Sequence, residues 1–148
     1  AVALLNFHAR DVAWWALVDG LRDGDDRVTT ACVQTLQTLA RDHARNVEWG
    51  PAAPSLRAVL SGTNLGAVAP LARALLATGV RADLGPDVVG GAGEGLLVFV
   101  PSARESFATP ARDLLRRFTG DDQGIDVARW RARLATLKSK TAADSRPR

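Results

Sequence analysis

The residues that could carry chemistry in this chain are few, and their spacing excludes most of it. A glycine cluster, Gly90-Gly91-Ala92-Gly93-Glu94-Gly95, has the composition of a phosphate-cradling loop. It lacks a Gly-Lys-Ser/Thr ending, and the Gly-x-Gly-x-x-Gly spacing of dinucleotide loops breaks at Leu96. Two acidic groups, Asp23/Asp25/Asp26 and Asp121/Asp122/Asp126, invite calcium. Neither alternates its ligands around a central Gly and ends on Glu, as a helix–loop–helix calcium loop does. Both stand where helices are predicted to begin, so capping and the helix dipole account for them. Cys32 is the sole cysteine, which excludes an intrachain disulfide and a multi-cysteine zinc site. It falls on an apolar stripe and reads as packing. His8 and His43 have no ligand spacing between them, and Ser61 and Ser102 lack a nucleophile-elbow context. No catalytic, metal or cofactor site is assigned, and the chain is read as a non-enzyme.

The tryptophans and arginines are better suited to holding a partner. Trp14 and Trp130 lie on predicted core stripes, whereas Trp15 flanks one and Trp49 sits between helical units. Tryptophan is favoured at binding hot spots, so Trp15 and Trp49 are candidate contact residues. Arg112 and Arg116 are four apart on one helix side, and Arg73 holds the place of Arg112 one repeat earlier. With Arg129 and Arg133 further on, these residues make a surface able to hold carboxylates or phosphates in a forked geometry. Asp113 is spaced to pair with Arg117 on the same helix.

Charge is unevenly spread. Residues 1–110 carry 9 basic and 11 acidic side chains, a balance of −2, while residues 111–148 carry 10 and 5, a balance of +5. All but two of the 19 basic residues are Arg. A basic C-terminal end attracts anionic partners, so nucleic acid is kept as a second reading. Against it, the first half is not basic and aromatic residues are not interleaved with the basic ones. No apolar run approaches the ~20 residues of a membrane-spanning helix.

The elements that must position these residues repeat. Val28, Ala31, Cys32, Thr35, Leu36 and Leu39 fall on one stripe of a helix of 3.6 residues per turn. About 40 residues on, Val68, Leu71, Ala72, Leu75 and Leu76 make the same stripe, and Phe107, Ala111, Leu114, Leu115 and Phe118 make it again. Asp25/Asp26, Asn64 and Ser102 precede the three stripes as helix-start signals. Ahead of each lies another apolar segment: Trp14, Leu17, Val18 and Leu21; then Leu56, Val59 and Leu60 behind Pro51 and Pro54; then Val88, Val89 and residues 96–100. The third is read as a helix. A loop over 90–95 followed by a shorter helix is the second reading, and residues 96–100 also have strand composition. Pro70 and Pro110 fall inside predicted second helices, where proline costs ~3 kcal/mol or more unless the helix kinks or restarts.

A unit of helix, turn and helix with this period resembles the HEAT-repeat (armadillo-like) family. The first unit carries the likeness best, with an apolar helix ending at Leu21, then Asp25-Asp26-Arg27-Val28, then Ala31 and Leu36. The segment Thr119-Gly120, the Asp/Gly loop that follows and Trp130 resemble the closing piece of bacterial HEAT-repeat proteins. The resemblance implies an all-α fold, an α-solenoid of about three antiparallel helix pairs (units 10–45, 50–80 and 84–120) with a C-terminal capping helix over 126–138. The helical domain is expected over 1–140, with a disordered tail over 141–148. It further implies a non-catalytic protein-interaction scaffold, with a nucleic-acid-binding repeat or a non-catalytic subunit of an enzyme complex as alternatives. The apolar residues 1–7 read as the tail of an earlier repeat, so the chain is expected to be the closing end of an array. Compartment stays open between the cytoplasm and, if a leader was removed, the cell envelope.

Overall fold

The computed structural model describes residues 7–144, with side chains described for residues 8–137. Among the described residues the chain is helical and has no strand. The helices are α1 (Asp11–Gly20), α2 (Asp26–Asp42), α3 (Ala53–Ser61), α4 (Leu65–Ala77), α5 (Gly85–Val89), α6 (Glu94–Phe99), α7 (Glu105–Thr119) and α8 (Val127–Asp144). Short 3₁₀ turns at Phe7–Ala9, Gly50–Ala52 and Ala82–Leu84 lead into α1, α3 and α5. Helix α8 therefore takes in residues 141–144, which had been expected in the tail. Residues 1–6 and 145–148, expected as a repeat remnant and tail, lie outside the described residues.

The packing follows chain order in two sets. Helices α2, α4 and α7 lie one against the next. On the other side α1 packs on α3, α3 on both α5 and α6, and both of these on α8. Helix α1 also packs on α2, and α6 on α7. Helix α4 is the centre of this arrangement. Ala67, Val68, Ala69, Pro70, Leu71, Ala72, Ala74 and Leu75 are all buried, which fits a helix covered by neighbours on several sides and carrying a single charge, Arg73.

Helix α2 departs from the stripe read from its sequence. Leu36 and Leu39 are buried, but Val28 is 39% exposed, Ala31 and Thr35 are exposed, and Cys32 is half-buried. Periodicity marks a face that can be buried; burial also requires a neighbour. Among the described residues α2 packs closely only on α1 and α4, and the start of its apolar stripe faces water. Cys32 fits because Gly20 of α1 lies against it, where an added Cβ would clash with the sulfur.

Helix ends show which local signals act. The Asp25 carboxylate accepts the Arg27 N–H at 2.8 Å and caps α2. Asp126 does the same for α8 through Arg129 N–H at 3.0 Å. Gly120, at φ 74°, ends α7 in the left-handed conformation and returns its N–H to the Arg116 carbonyl. Two expected caps do not form. Asn64 makes no cap bond to α4; its amide donates to the Leu21 carbonyl at 3.4 Å, tying the α3–α4 turn to the end of α1. Ser102 accepts the Arg104 N–H at 3.2 Å one step ahead of α7.

The segment expected as the first helix of a third unit is divided. Helix α5 ends at Val89, Gly91 and Gly93 take φ of 65° and 91°, and α6 starts at Glu94. This matches the second reading of the stretch, a loop followed by a short helix, and corrects the continuous helix. Gly95 is buried in α6 because α3 passes close: an added Cβ would lie 2.7 Å from the Leu60 carbonyl oxygen. Replacing Gly95 by Ala should cost about 1–3 kcal/mol despite alanine's better helix propensity, because the contact is to backbone that cannot yield cheaply. Gly66→Ala in α4 meets only the Asn64 side chain, at 3.6 Å, and should stabilise by about 0.5 kcal/mol. Urea denaturation of both variants checks the pair. Equal effects would remove close α3–α6 packing as the cause.

Candidate functional site

Helices α2 and α4 run side by side without filling the space between their outer faces. Gln37, Ala40 and Arg41 of α2 and Pro70, Arg73 and Ala77 of α4 line a solvent-open groove of ≈ 360 Å³. On α2 these residues recur at three- and four-residue steps, and on α4 likewise, so each helix contributes one stripe. Ala40, Ala77 and the Pro70 ring supply apolar surface, and two guanidiniums and one carboxamide supply donors. No carboxylate lines the groove.

The position of Arg73 follows from a proline. Pro110 has no N–H, so the carbonyl of Ser106, four residues earlier in α7, loses its helical partner. An Arg73 Nη2 proton is donated to that carbonyl. A backbone acceptor that would otherwise stay unpaired is thus satisfied by a side chain from the neighbouring helix, and the guanidinium is held in place by it. Among the described residues Arg73 forms no ion pair with a carboxylate. Arg41 reaches Asp42 at 2.8 Å, with its own side chain 71% exposed. The Asp42 carboxyl is held below its ordinary value by the hydrogen bonds from Arg41.

The other expected arginines do not extend this groove. Arg112 pairs with Glu105 at 3.2 Å, and its Nε is buried with no hydrogen-bond partner. The Glu105 carboxyl is lowered first by Thr109 and then by Arg112. Arg116 bridges Asp113 at 2.8 Å and Asp122 at 2.9 Å. Asp122 is lowered first by the Gly124 N–H and next by Arg116. Asp113 thus pairs with Arg116, not with Arg117 as expected; Arg117 donates to the Val80 carbonyl at 2.9 Å. Arg129 pairs with Asp126 at 3.3 Å. Arg133 binds Asp121 at 2.5 Å and the Thr119 carbonyl at 3.0 Å, fixing the loop between α7 and α8. The expected ladder is therefore broken into local pairs.

Trp49 is not a surface residue. It is 1% exposed, donates from Nε1 to Thr78 Oγ1 at 2.9 Å and meets the Trp14 ring edge-on, with centroids 6.3 Å apart. The ring's apolar area favours its burial, and the Thr78 hydroxyl satisfies the N–H that burial would otherwise leave unpaired. Trp15 is half-buried and donates to the Glu48 carbonyl at 2.9 Å, anchoring the same loop. Neither borders the groove. The structure also joins residues that the sequence leaves apart: the His8 and His43 rings stack at 4.1 Å. No group of three His, Cys, Asp or Glu placed to hold a metal occurs among the described residues. The Cys32 thiol is raised first by burial and then by Asp23, the opposite of activation.

Sequence reading named Arg73 and missed Gln37, Ala40, Arg41, Pro70 and Ala77. The spacing of Gln37 and Arg41, and of Pro70, Arg73 and Ala77, was the available signal, but only the pairing of α2 with α4 turns two stripes into one groove. No family model, curated protein or solved structure matches the chain.

One ion pair fastens the closing helix. Arg131 of α8 meets Glu94 at the start of α6 at 3.0 Å, both side chains more than half exposed. The Glu94 carboxyl is held below its ordinary 4.5 by the hydrogen bonds from Arg131. A carboxyl depressed on folding contributes stability above its unfolded pKa and loses it as pH falls through the folded value. At neutral pH Glu94→Gln should therefore destabilise by about 0.5 kcal/mol or less, given the solvent screening. The difference from wild type should vanish as pH is lowered below 4.5. Thermal melts across pH test this; a gap that persists in acid would assign the effect to packing.

Proposed function

We propose that this chain is a non-catalytic protein-interaction scaffold: a short stack of antiparallel helix pairs, HEAT-like in organisation, that offers the outer face of α2, α4 and α7 to a partner. The observation that carries this reading is the open α2–α4 groove, lined by two arginines, a glutamine and the apolar Ala40, Pro70 and Ala77. The order of packing supports the stacked-pair arrangement, since second helices follow second helices and first helices follow first helices. Helix α8 has the character of a closing element. Trp130, Leu134 and Leu137 are buried against the stack, while Arg129 and Arg131 stay exposed. No helix of the described residues is long and apolar enough to cross a membrane.

A nucleic-acid-binding repeat takes second place. Its support is the basic end of the sequence, yet Arg112, Arg116, Arg129 and Arg133 each already hold a carboxylate. Phosphate binding there would have to displace those pairs. A non-catalytic subunit of an enzyme complex would use the same groove.

Selection of a random peptide-display library on the purified chain tests the scaffold reading. Enriched peptides should share an anchor pattern, bind the free protein in solution, and be lost when Gln37 and Ala77 are both replaced by Glu. Failure to enrich any peptide over an unrelated helical protein would overturn it.

A further inference from the structure

We propose that the α2–α4 groove recognises an acidic peptide segment, with the Arg41 and Arg73 guanidiniums receiving its carboxylates and Pro70, Ala40 and Ala77 taking an apolar side chain between them. This rests on the scaffold reading and specifies its ligand. The lining holds two permanent cations and no carboxylate; Arg41 is offset by Asp42 beside it, and the charge of Arg73, which meets no carboxylate among the described residues, favours an anionic ligand. The volume of ≈ 360 Å³ suits a few side chains and is too small for a folded surface.

The two arginines differ in preparation. Arg73 is half-buried and tied through one nitrogen to the carbonyl that Pro110 leaves open, so part of its ordering cost is met before a ligand arrives. Its charge has no carboxylate partner among the described residues, so a ligand carboxylate displaces water, not an existing ion pair. Arg41 is exposed and shares its charge with Asp42 beside it in sequence. It acts as the mobile second arm, and an exposed pair of this kind is weak enough to be shared. The Gln37 carboxamide, one helical turn before Arg41, can both donate and accept, as a peptide backbone requires.

A peptide is favoured over nucleic acid by the apolar floor and by the two cations of the groove. A phosphate backbone is bound by a longer run of free basic groups, whereas Arg112 and Arg116 further along α7 are already paired.

Fluorescence anisotropy with a short fluorescein-labelled peptide of alternating Glu and Leu tests the proposal, alongside its Gln/Leu counterpart and an oligouridylate. The Glu peptide should bind saturably and lose affinity with added salt. The Gln peptide should bind about tenfold more weakly or worse, the size of a lost charge-assisted contact. Arg41→Glu should weaken the Glu peptide about tenfold, while Arg129→Glu on α8 should leave it unchanged. Arg73→Ala removes both a ligand contact and the Ser106 partner, so Arg73→Lys is the sharper variant. It keeps the charge and should retain more affinity than Arg73→Gln, with circular dichroism showing both folded. Equal binding of Glu and Gln peptides, indifference to Arg41→Glu and Arg73→Gln, or no saturable binding of the Glu peptide would overturn the proposal. Tighter binding of the oligouridylate would overturn it in favour of nucleic acid. If library selection yields peptides that bind but are neither acidic nor sensitive to Arg41 and Arg73, the scaffold stands and this ligand assignment falls.

Discussion

The structure depends on the burial of α4 between α2 and α7. A helix with eight buried positions and one charged side chain has no solvent face wide enough to stand alone, so both neighbours must be in place for it to be stable. Small residues make this possible. Ala67, Ala69, Ala72 and Ala74 let other helices approach, while Val68, Leu71 and Leu75 fill the space between them. The first-helix set is then carried on the far side, with α3 bridging α1 to α5 and α6.

The same close packing turns local defects into connections. Pro110 would leave a gap in the α7 ladder, and Arg73 from the next helix fills it. Glycine plays the complementary part at Gly95 and Gly20, where the absence of a side chain lets α3 approach α6 and lets Cys32 approach α1. Gly91 and Gly93 divide the third first helix, at a place where an unbroken helix would lose free energy at each glycine. The two resulting pieces turn independently to meet α3, α7 and α8. A feature unfavourable in an isolated helix thereby becomes a means of fitting one element against several neighbours.

The groove is a consequence of this geometry. Its floor is made by residues that are small or ring-shaped, and its charges come from the edges of two stripes that each look ordinary alone. Several arginine partners are local in the chain: Asp113 and Asp122 lie near Arg116, and Asp121 near Arg133. Those pairs fasten loops and helix ends. Arg73 donates to a distant carbonyl, as Arg57 and Arg117 also do, so its charge meets no carboxylate among the described residues; of these three it is the one that lines the groove.

The sequence by itself determined the helical character, because apolar spacing near 3.6 residues recurs along it and needs no tertiary information. It also determined the caps at Asp25 and Asp126 and the stop at Gly120, which depend on a few neighbouring atoms. It carried the buried stripes of α4 and α7 and the inward side of α8. Tertiary structure decided what periodicity cannot encode: which apolar faces find a neighbour. Val28 and Ala31 remain exposed although they share a stripe with buried Leu36, and Trp49, a loop residue expected as a contact point, is buried, with its N–H satisfied by Thr78. It likewise decided which arginines meet a carboxylate, since the rotamer of each and the placement of the loops beside it set those distances. The candidate binding arginines divide accordingly. Arg112, Arg116, Arg129 and Arg133 hold structure together, and Arg73, held by the carbonyl Pro110 left open, faces the groove.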